Sequence, residues 1–295
     1  MPSVAFVINR TLVRDPRGFL RQCRAGAKAG GWEPWFAETT PQDPGLGQAR
    51  RAVAAGASLV FAAGGDGTVR ACAQALACTG IPLAIVPLGT ANLTARALGI
   101  PARADRAIEV GFRGRDRQID LARADGDGAD EIRFAAMAGI GLDAAVVDAA
   151  RPPGKRRLGW IAYAVSGLAH LSLPPHDFTV RLDGGGPLAR RARCVVVGNA
   201  GLLPGGFVLL PEARLDDGLL DVGILAPSGV LGWPRAVGLV LTRRRGRTLE
   251  RFQARQVEIS ADSDLPRQID GEVIAPGRTL AVSACPGVLT IRQPS

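Results

Sequence analysis

The sequence predicts a two-domain protein of the α/β plus β class: an N-terminal α/β domain on a parallel sheet, then a C-terminal antiparallel β-sandwich domain. Three observations lead there. A chain of 295 residues that is 47 % hydrophobic is too long for one small core and can bury two. Apolar, β-branched runs alternate with helical runs as far as residue 115. From Gln118 onward, short apolar or alternating runs follow one another, separated by Gly, Pro and Asp clusters. The expected domains are therefore 1–117 and 118–295, with the last residues able to pack back on the first domain.

Val4–Ile8 reads as a buried strand, with Asn9 at its carboxyl end. Phe19–Gly30 reads as a helix, Trp32–Glu38 as a second strand, and Gly47–Ala55 as a helix closed by Gly56. Ser58–Ala63 is a third strand that breaks into Gly64-Gly65-Asp66-Gly67-Thr68, and Val69–Cys78 is the helix after it. Leu83–Val86 is a fourth strand, followed by Pro87-Leu88-Gly89-Thr90 and a helix Ala91–Leu98. The second half offers strands at Ile119–Ala124, Ile132–Ala138, Phe178–Leu182, Ala192–Val197, Gly218–Leu225, Gln256–Ser260, Thr279–Ala284 and Val288–Arg292. One helical insertion, Leu158–Leu173, interrupts them.

The formal net charge is +9, from 36 basic and 27 acidic residues, and only Lys28 and Lys155 are lysines. That balance favours anionic partners without choosing among nucleotides, phosphates, nucleic acid and acidic membrane; a solvated basic surface explains it equally well. The five cysteines form no C-x-x-C pair and their number is odd, so reduced thiols in a cytoplasm are expected. Two histidines, His170 and His176, make zinc sites and histidine triads poor hypotheses. The N-terminus lacks a basic segment followed by a long apolar one, so no signal peptide is expected. No run reaches the roughly 18 apolar residues of a spanning helix.

Gly64-Gly65-Asp66-Gly67-Thr68 lies between a strand and a helix. Glycines admit a phosphate close to the backbone, and the helix offers free N–H groups and the positive end of its dipole. Asp66 would repel a polyphosphate unless it holds Mg²⁺ or accepts the proton of an attacking hydroxyl. A tight glycine turn with an aspartate cap is the simpler account of this loop alone. A second loop, Pro87-Leu88-Gly89-Thr90-Ala91-Asn92, has the same placement one βα unit later. Two such loops at the carboxyl edge of one parallel sheet make a ligand crevice. Neither loop is a P-loop or a dinucleotide fingerprint.

These two loops together resemble the diacylglycerol kinase catalytic domain, shared with sphingosine and ceramide kinases and bacterial soluble lipid kinases. Gly205-Gly206-Phe207, Pro211-Glu212-Ala213, Asp216-Asp217-Gly218-Leu219-Leu220-Asp221-Val222, Asp270-Gly271-Glu272 and Ile119-Asp120-Leu121 resemble its later motifs, so the resemblance runs along nearly the whole chain. It implies a nucleotide-binding domain of the NAD kinase and diacylglycerol kinase type, a second domain for the lipid, and ATP with Mg²⁺ as cofactors. Gly64, Gly65, Gly67 and Thr68 would line the phosphates, as would Gly89, Thr90 and Asn92, with Asn9 and Thr40 nearby. Asp66, Asp120 and Glu272 would be the catalytic acidic cluster, and Asp217 with Asp216 a structural metal position. Many members carry Asp after the Asn of the second loop; here Leu93 stands there, which bears on the acceptor.

The implied reaction is transfer of the γ-phosphate of ATP to a lipid hydroxyl, in lipid metabolism and phospholipid biosynthesis. Glu272 or Asp66 would take the hydroxyl proton, with Asp66 the favoured of the two. The lipid substrate lies at a membrane surface, so a cytoplasmic protein peripheral to the inner face of the membrane is expected. Lys155-Arg156-Arg157 before Leu158–Leu173, and Arg243-Arg244-Arg245-Gly246-Arg247, are basic clusters that suit an anionic interface. A buried helix with a solvated basic flank is the simpler account of each. The alternatives are a kinase for a soluble acceptor such as NAD, and a non-catalytic nucleotide- or nucleic-acid-binding protein. Interleaved aromatics are lacking, so no nucleic-acid partner is expected. The sequence leaves oligomeric state open, a homodimer included.

Overall fold

The computed structural model describes residues 1–127, 129–142, 174–203, 207–229 and 232–295. They form two compact units, Met1–Asp120 with Gly287–Ser295, and Leu121–Pro286. The expected helix Leu158–Leu173, its flank Lys155-Arg156-Arg157, and Gly205-Gly206 lie outside the described residues.

The first unit is a parallel sheet between helices. Its strands β1 (Ser3–Ile8), β2 (Glu33–Glu38), β3 (Leu59–Gly64) and β4 (Leu83–Pro87) stand in the order β2-β1-β3-β4. The central strand β3 is buried at every position, as a strand covered on both faces must be. β2 is the edge, where Pro34, lacking an N–H, and the exposed Trp35 are tolerated. Helix α1 (Pro16–Ala29) starts three residues before the expected Phe19, because Asp15 caps it through the Gly18 N–H at 3.0 Å and Pro16 suits the first helical position. It buries Phe19, Cys23 and Ala27, one residue per turn. Burial pushes the Cys23 thiol up to about 12 and raises that of Cys72, so neither is a reactive thiol.

Helix α2 (Leu46–Ala54) precedes β3, α3 (Asp66–Leu76) follows it, and α4 (Leu93–Ala97) follows β4. A further helix, α5 (Ala104–Arg113), has no counterpart in the expected elements. It lies against the sheet closely enough that a Cβ on Gly111 would collide with Phe61 and Ala84. Phe112 joins the stacked pair Phe6 and Phe61, whose centroids are 4.5 Å apart.

The second unit holds β6 (Ala129–Phe134), β7 (Met137–Gly141), β8 (His176–Leu182), β9 (Leu188–Ala192), β10 (Cys194–Gly198), β11 (Leu220–Leu225), α6 (Gly232–Leu241), β12 (Leu249–Ala254) and β13 (Gln256–Ile269). Two strands belong to both units: β5 (Arg115–Gly126) carries the chain out and β14 (Glu272–Gln293) carries it back. β12-β11-β10-β7 is an antiparallel run that continues to the end of β13. The start of β13 instead pairs with β8, which pairs with β9. Register shifts around Leu265, beside Pro266, let one strand serve both halves of the sandwich. Phe134, Ile140, Phe178, Val197, Val222 and Ile259 are among the core it encloses.

Ile132–Ala138, expected as one strand, is broken in two between β6 and β7. The carboxylate of Asp270 accepts the N–H groups of Ala135, Ala136 and Met137 at 3.2, 3.0 and 2.9 Å, which diverts them from a ladder. Conversely, Thr279–Ala284 and Val288–Arg292 are parts of the single strand β14. β9, β12 and α6 were not expected.

Asp221 on β11 is 3 % exposed, and its carboxyl is raised to about 6, first by burial, with Asp217 and Glu212 adding negative charge against a hydrogen bond from Gln253. A carboxyl raised in the native state favours the fold below its unfolded value of about 3.9 and loses that advantage as pH rises through about 6. Asp221→Asn should therefore melt above the wild type at pH 7.5, by up to ~3 kcal/mol, with the difference gone by about pH 4. Thermal unfolding from pH 4 to 8 checks this; a difference independent of pH would remove the assignment to Asp221.

Candidate functional site

The site grows from the carboxyl edge of the parallel sheet. β3 and β4 are neighbours with Gly64 in register with Pro87, so their loops leave the edge side by side. The Leu88 N–H donates to the Gly64 carbonyl at 2.8 Å. A Cβ on Gly89 would stand 2.7 Å from the Gly65 Cα, and one on Gly64 would stand 2.6 Å from the Cβ and Oγ1 of Thr68. Neither glycine has a positive φ. Glycine is thus required at Gly89 by the Gly65 backbone and at Gly64 by the Thr68 side chain, and the same lack of side chains leaves the loops open to a bulky anion.

Asp66 joins the two loops. Its carboxylate accepts the Asn92 N–H at 2.8 Å and the Leu93 N–H at 2.6 Å, at the start of α4. Asn92 stands in the left-handed region at φ 48, and its side chain brackets the loop: Oδ1 accepts the Gly89 N–H at 3.0 Å and Nδ2 donates to the Gly89 carbonyl at 2.7 Å. The N-terminus of α4 is therefore closed by Asp66. That of α3 is different: its N-cap is Gly65, with no side-chain cap. The first N–H groups of an α-helix have no partner within the helix, and with the dipole they favour phosphate.

Asn9 belongs to the same edge. Its N–H donates to the Ala63 carbonyl at 2.8 Å, beside Gly64, and its Oδ1 accepts from the backbone and hydroxyl of Thr11. Thr40 follows the end of β2 and closes a turn, accepting the Asp43 N–H on its hydroxyl at 3.0 Å. Thr68 is buried under Gly64, and Thr90 is exposed. The structure thus gathers Asn9, Gly64, Gly65, Asp66, Gly67, Thr68, Gly89, Thr90 and Asn92 at adjoining strand ends. Asp120, 2 % exposed, accepts the Gly287 N–H at 2.7 Å and so pins the chain where it leaves and rejoins the first unit.

Within the second unit, Glu272 is half-buried, directly after the two-residue turn Asp270-Gly271, whose positive φ values of 48 and 75 suit a tight hairpin. Asp216 and Asp217 are exposed, and the Asp217 Oδ1 accepts the Leu219 N–H at 3.0 Å. Among the described residues, no three or more His, Cys, Asp or Glu side chains stand together as a metal cage. Sequence reading missed Leu12, whose Cδ1 lies 3.8 Å from where a Gly65 Cβ would be, and Arg10, paired with Glu38 at 2.7 Å. Their position just after Asn9 was the available signal. For the grip of Asp66 on the second loop there was no local signal.

The sequence matches the family model of the diacylglycerol kinase catalytic domain over residues 4–124, and that of the YegS C-terminal NAD kinase beta sandwich-like domain over residues 136–293. It is 36 % identical over 264 residues to a "probable lipid kinase YegS-like" of Pseudomonas aeruginosa, across 84 % of this chain and 82 % of that one. It is 37 % identical over 177 residues to a diacylglycerol kinase of Mycobacterium tuberculosis, across 58 % of this chain and 56 % of that one. The fold is similar to the crystal structure of a diacylglycerol kinase from Bacillus anthracis, with a TM-score of 0.79 at 23 % identity over 99 % of this chain and 96 % of that one. Among the described residues, no helix is long and apolar enough to cross a membrane.

Asp66→Asn replaces one acceptor oxygen with an NH₂ group facing a backbone N–H. Donor against donor should cost about 1–3 kcal/mol. A lower melting temperature and faster hydrogen exchange at residues 89–93 are expected. Wild-type melting and exchange would mean that Asp66 does not hold the second loop.

Proposed function

We propose, from the premise that this chain belongs to the diacylglycerol kinase family of lipid kinases, that it transfers the γ-phosphate of ATP to the hydroxyl of diacylglycerol or a closely related lipid. The family implies ATP as the donor. The observation that carries the reading is the pair of glycine-floored loops beside the open N-terminus of α3. A helix N-terminus without a side-chain cap and the absence of Cβ atoms suit the triphosphate. Mg²⁺ in nucleotide sites is held by one or two carboxylates and the phosphates themselves, so Asp66 fits as its protein donor, and when bound it would neutralise the β- and γ-phosphates.

Phosphoryl transfer asks the protein chiefly to position reactants and neutralise charge. The α3 N–H groups would hold the phosphate oxygens, and Asp66 would keep the second loop, with Gly89 and Thr90, in place. Turning the Asp66 carboxylate toward a lipid hydroxyl would break its two bonds to Asn92 and Leu93. Asp120 is buried and bonded to Gly287. Glu272 is half-buried directly after its turn, and the family resemblance makes it the candidate acceptor for the hydroxyl proton. Asp217, whose Oδ1 accepts the Leu219 N–H, would with Asp216 be a structural cation position, as the family resemblance implies. This assignment gives a protein that works at a membrane surface in phospholipid metabolism.

Label from γ-labelled ATP with Mg²⁺ should appear on a lipid in a mixed panel, with NAD and water as parallel acceptors. Transfer to NAD alone would move the protein to a soluble acceptor, and no transfer despite ATP binding would remove the kinase reading. Glu272→Gln should lower kcat by about 10²-fold or more with the KM for ATP little changed. A loss confined to KM would take the proton-accepting role from Glu272.

A further inference from the structure

Helix α6 is apolar apart from the exposed Arg235, yet Ala236 is its one buried residue. Val237 and Leu241 lie one turn apart on one face and are 52 % and 61 % exposed. A helix of a globular unit normally turns such a face to the core. The chain then bends at Arg243, with φ 56, into a turn that presents Arg243, Arg244, Arg245 and Arg247, all exposed. Among the described residues, only Arg245 of these four has an ion-pair partner, Glu212 at 2.6 Å.

The same turn walls a cleft of ≈ 430 Å³, lined by Arg190, Arg245, Gly246, Arg247, Glu250, Arg251 and Phe252. Arg190 is held by Glu250 through two bonds of 2.8 and 3.1 Å. Arg251 has no carboxylate partner among the described residues. It is 6 % exposed; its Nε and Nη1 donate to the carbonyls of Leu209 and Arg244, and its Nη2 has no acceptor among the described residues. Burial, and then the charge of Arg245, hold its guanidinium below its ordinary pKa. The cleft therefore has positive charge without a matching anion, next to an apolar face without a core.

We propose that α6 and the turn Arg243–Arg247 form the surface by which this protein docks on a bilayer containing anionic phospholipid, with the adjoining cleft receiving a lipid phosphate. The choice of partner rests on the lipid-kinase reading; the charge and the apolar face do not. An exposed Val237 and Leu241 suit the acyl boundary of a bilayer, where an apolar face flanked by arginines is stabilised on both counts. A nucleic acid would use the arginines and leave the apolar pair in water.

The test is co-sedimentation of the full chain, without ATP, with vesicles of phosphatidylcholine alone or with phosphatidylglycerol added. Binding should need phosphatidylglycerol and weaken as salt rises. Each arginine near an anionic surface is worth about fivefold, so the triple variant Arg243→Gln, Arg244→Gln, Arg247→Gln should bind about a hundredfold more weakly. Val237→Ser with Leu241→Ser should weaken binding at any phosphatidylglycerol content. All five side chains are exposed, so both variants should melt with the wild type. Equal binding by the triple variant, or indifference of the wild type to phosphatidylglycerol, would overturn the proposal. So would release by inorganic phosphate where chloride of equal ionic strength has no effect, which would mean a free-phosphate site. Tighter binding to duplex DNA than to vesicles, lost in the triple variant, would reassign the surface to nucleic acid. Label transfer to a short-chain lipid in detergent micelles is measured separately: its survival alongside failed vesicle binding would overturn docking and leave the kinase reading standing.

Discussion

The carboxylate of Asp66 reaches two backbone N–H groups that lie 26 and 27 residues further along the chain, and the rest of the site depends on that grip. A parallel sheet delivers the ends of β3 and β4 to the same edge but does not dictate how their loops sit against each other. Asp66 does so by closing the N-terminus of α4, which allows Gly89 to rest on Gly65 and leaves the N-terminus of α3 as the open one. One of the two helix ends is thereby closed by a carboxylate, and the other has a glycine N-cap and no side-chain cap. The negative charge in a loop suited to phosphate is, in this geometry, a consequence of building the loop.

The same device recurs. Asp270 takes three N–H groups between β6 and β7, and Asp183 takes those of Arg255 and Gln256, both at 2.8 Å. A carboxylate accepts several hydrogen bonds and has no donor of its own when ionised, so it can organise a turn that has no other partner for its amides. Several of the acidic side chains are thus committed to backbone, which narrows the set left for chemistry. The basic side chains divide similarly. Arg267, 2 % exposed, bonds Asp127 at 2.7 Å and two carbonyls inside the second unit, whereas the arginines of the 243–247 turn face outward.

The α/β half was legible because strands covered on both faces are continuous apolar runs, as in Val4–Ile8 and Leu59–Gly64. β9 and β12 were not, because Leu-Ala-Arg-Arg-Ala and Leu-Glu-Arg-Phe-Gln-Ala interleave charge with short apolar residues and resemble surface loops. α5 was hidden by its arginines and by Gly111, a residue that weakens a helix yet is needed for contact with Phe61. The break at Ala135 is invisible locally, since it is caused by Asp270, 135 residues away. The two glycine loops were legible as motifs. What their members do was less so: Asp66 and Asn92 hydrogen-bond within and between the loops, and Thr68 lies under Gly64, because these contacts follow from the fold and leave no mark in the spacing.

Asp120 and Gly287 meet at the point where the chain leaves the first unit and returns to it. The first unit is therefore discontinuous: Ile291 pairs with Leu83 on the outer edge of β4, and the Val288 carbonyl receives the Cys78 N–H at 2.7 Å. During synthesis on the ribosome, the amino-terminal sheet emerges early but has to wait for the final strand, made after the whole sandwich. Its apolar β4 edge lacks that partner for the interval, and an unpaired strand edge is the kind of surface on which neighbouring chains pair.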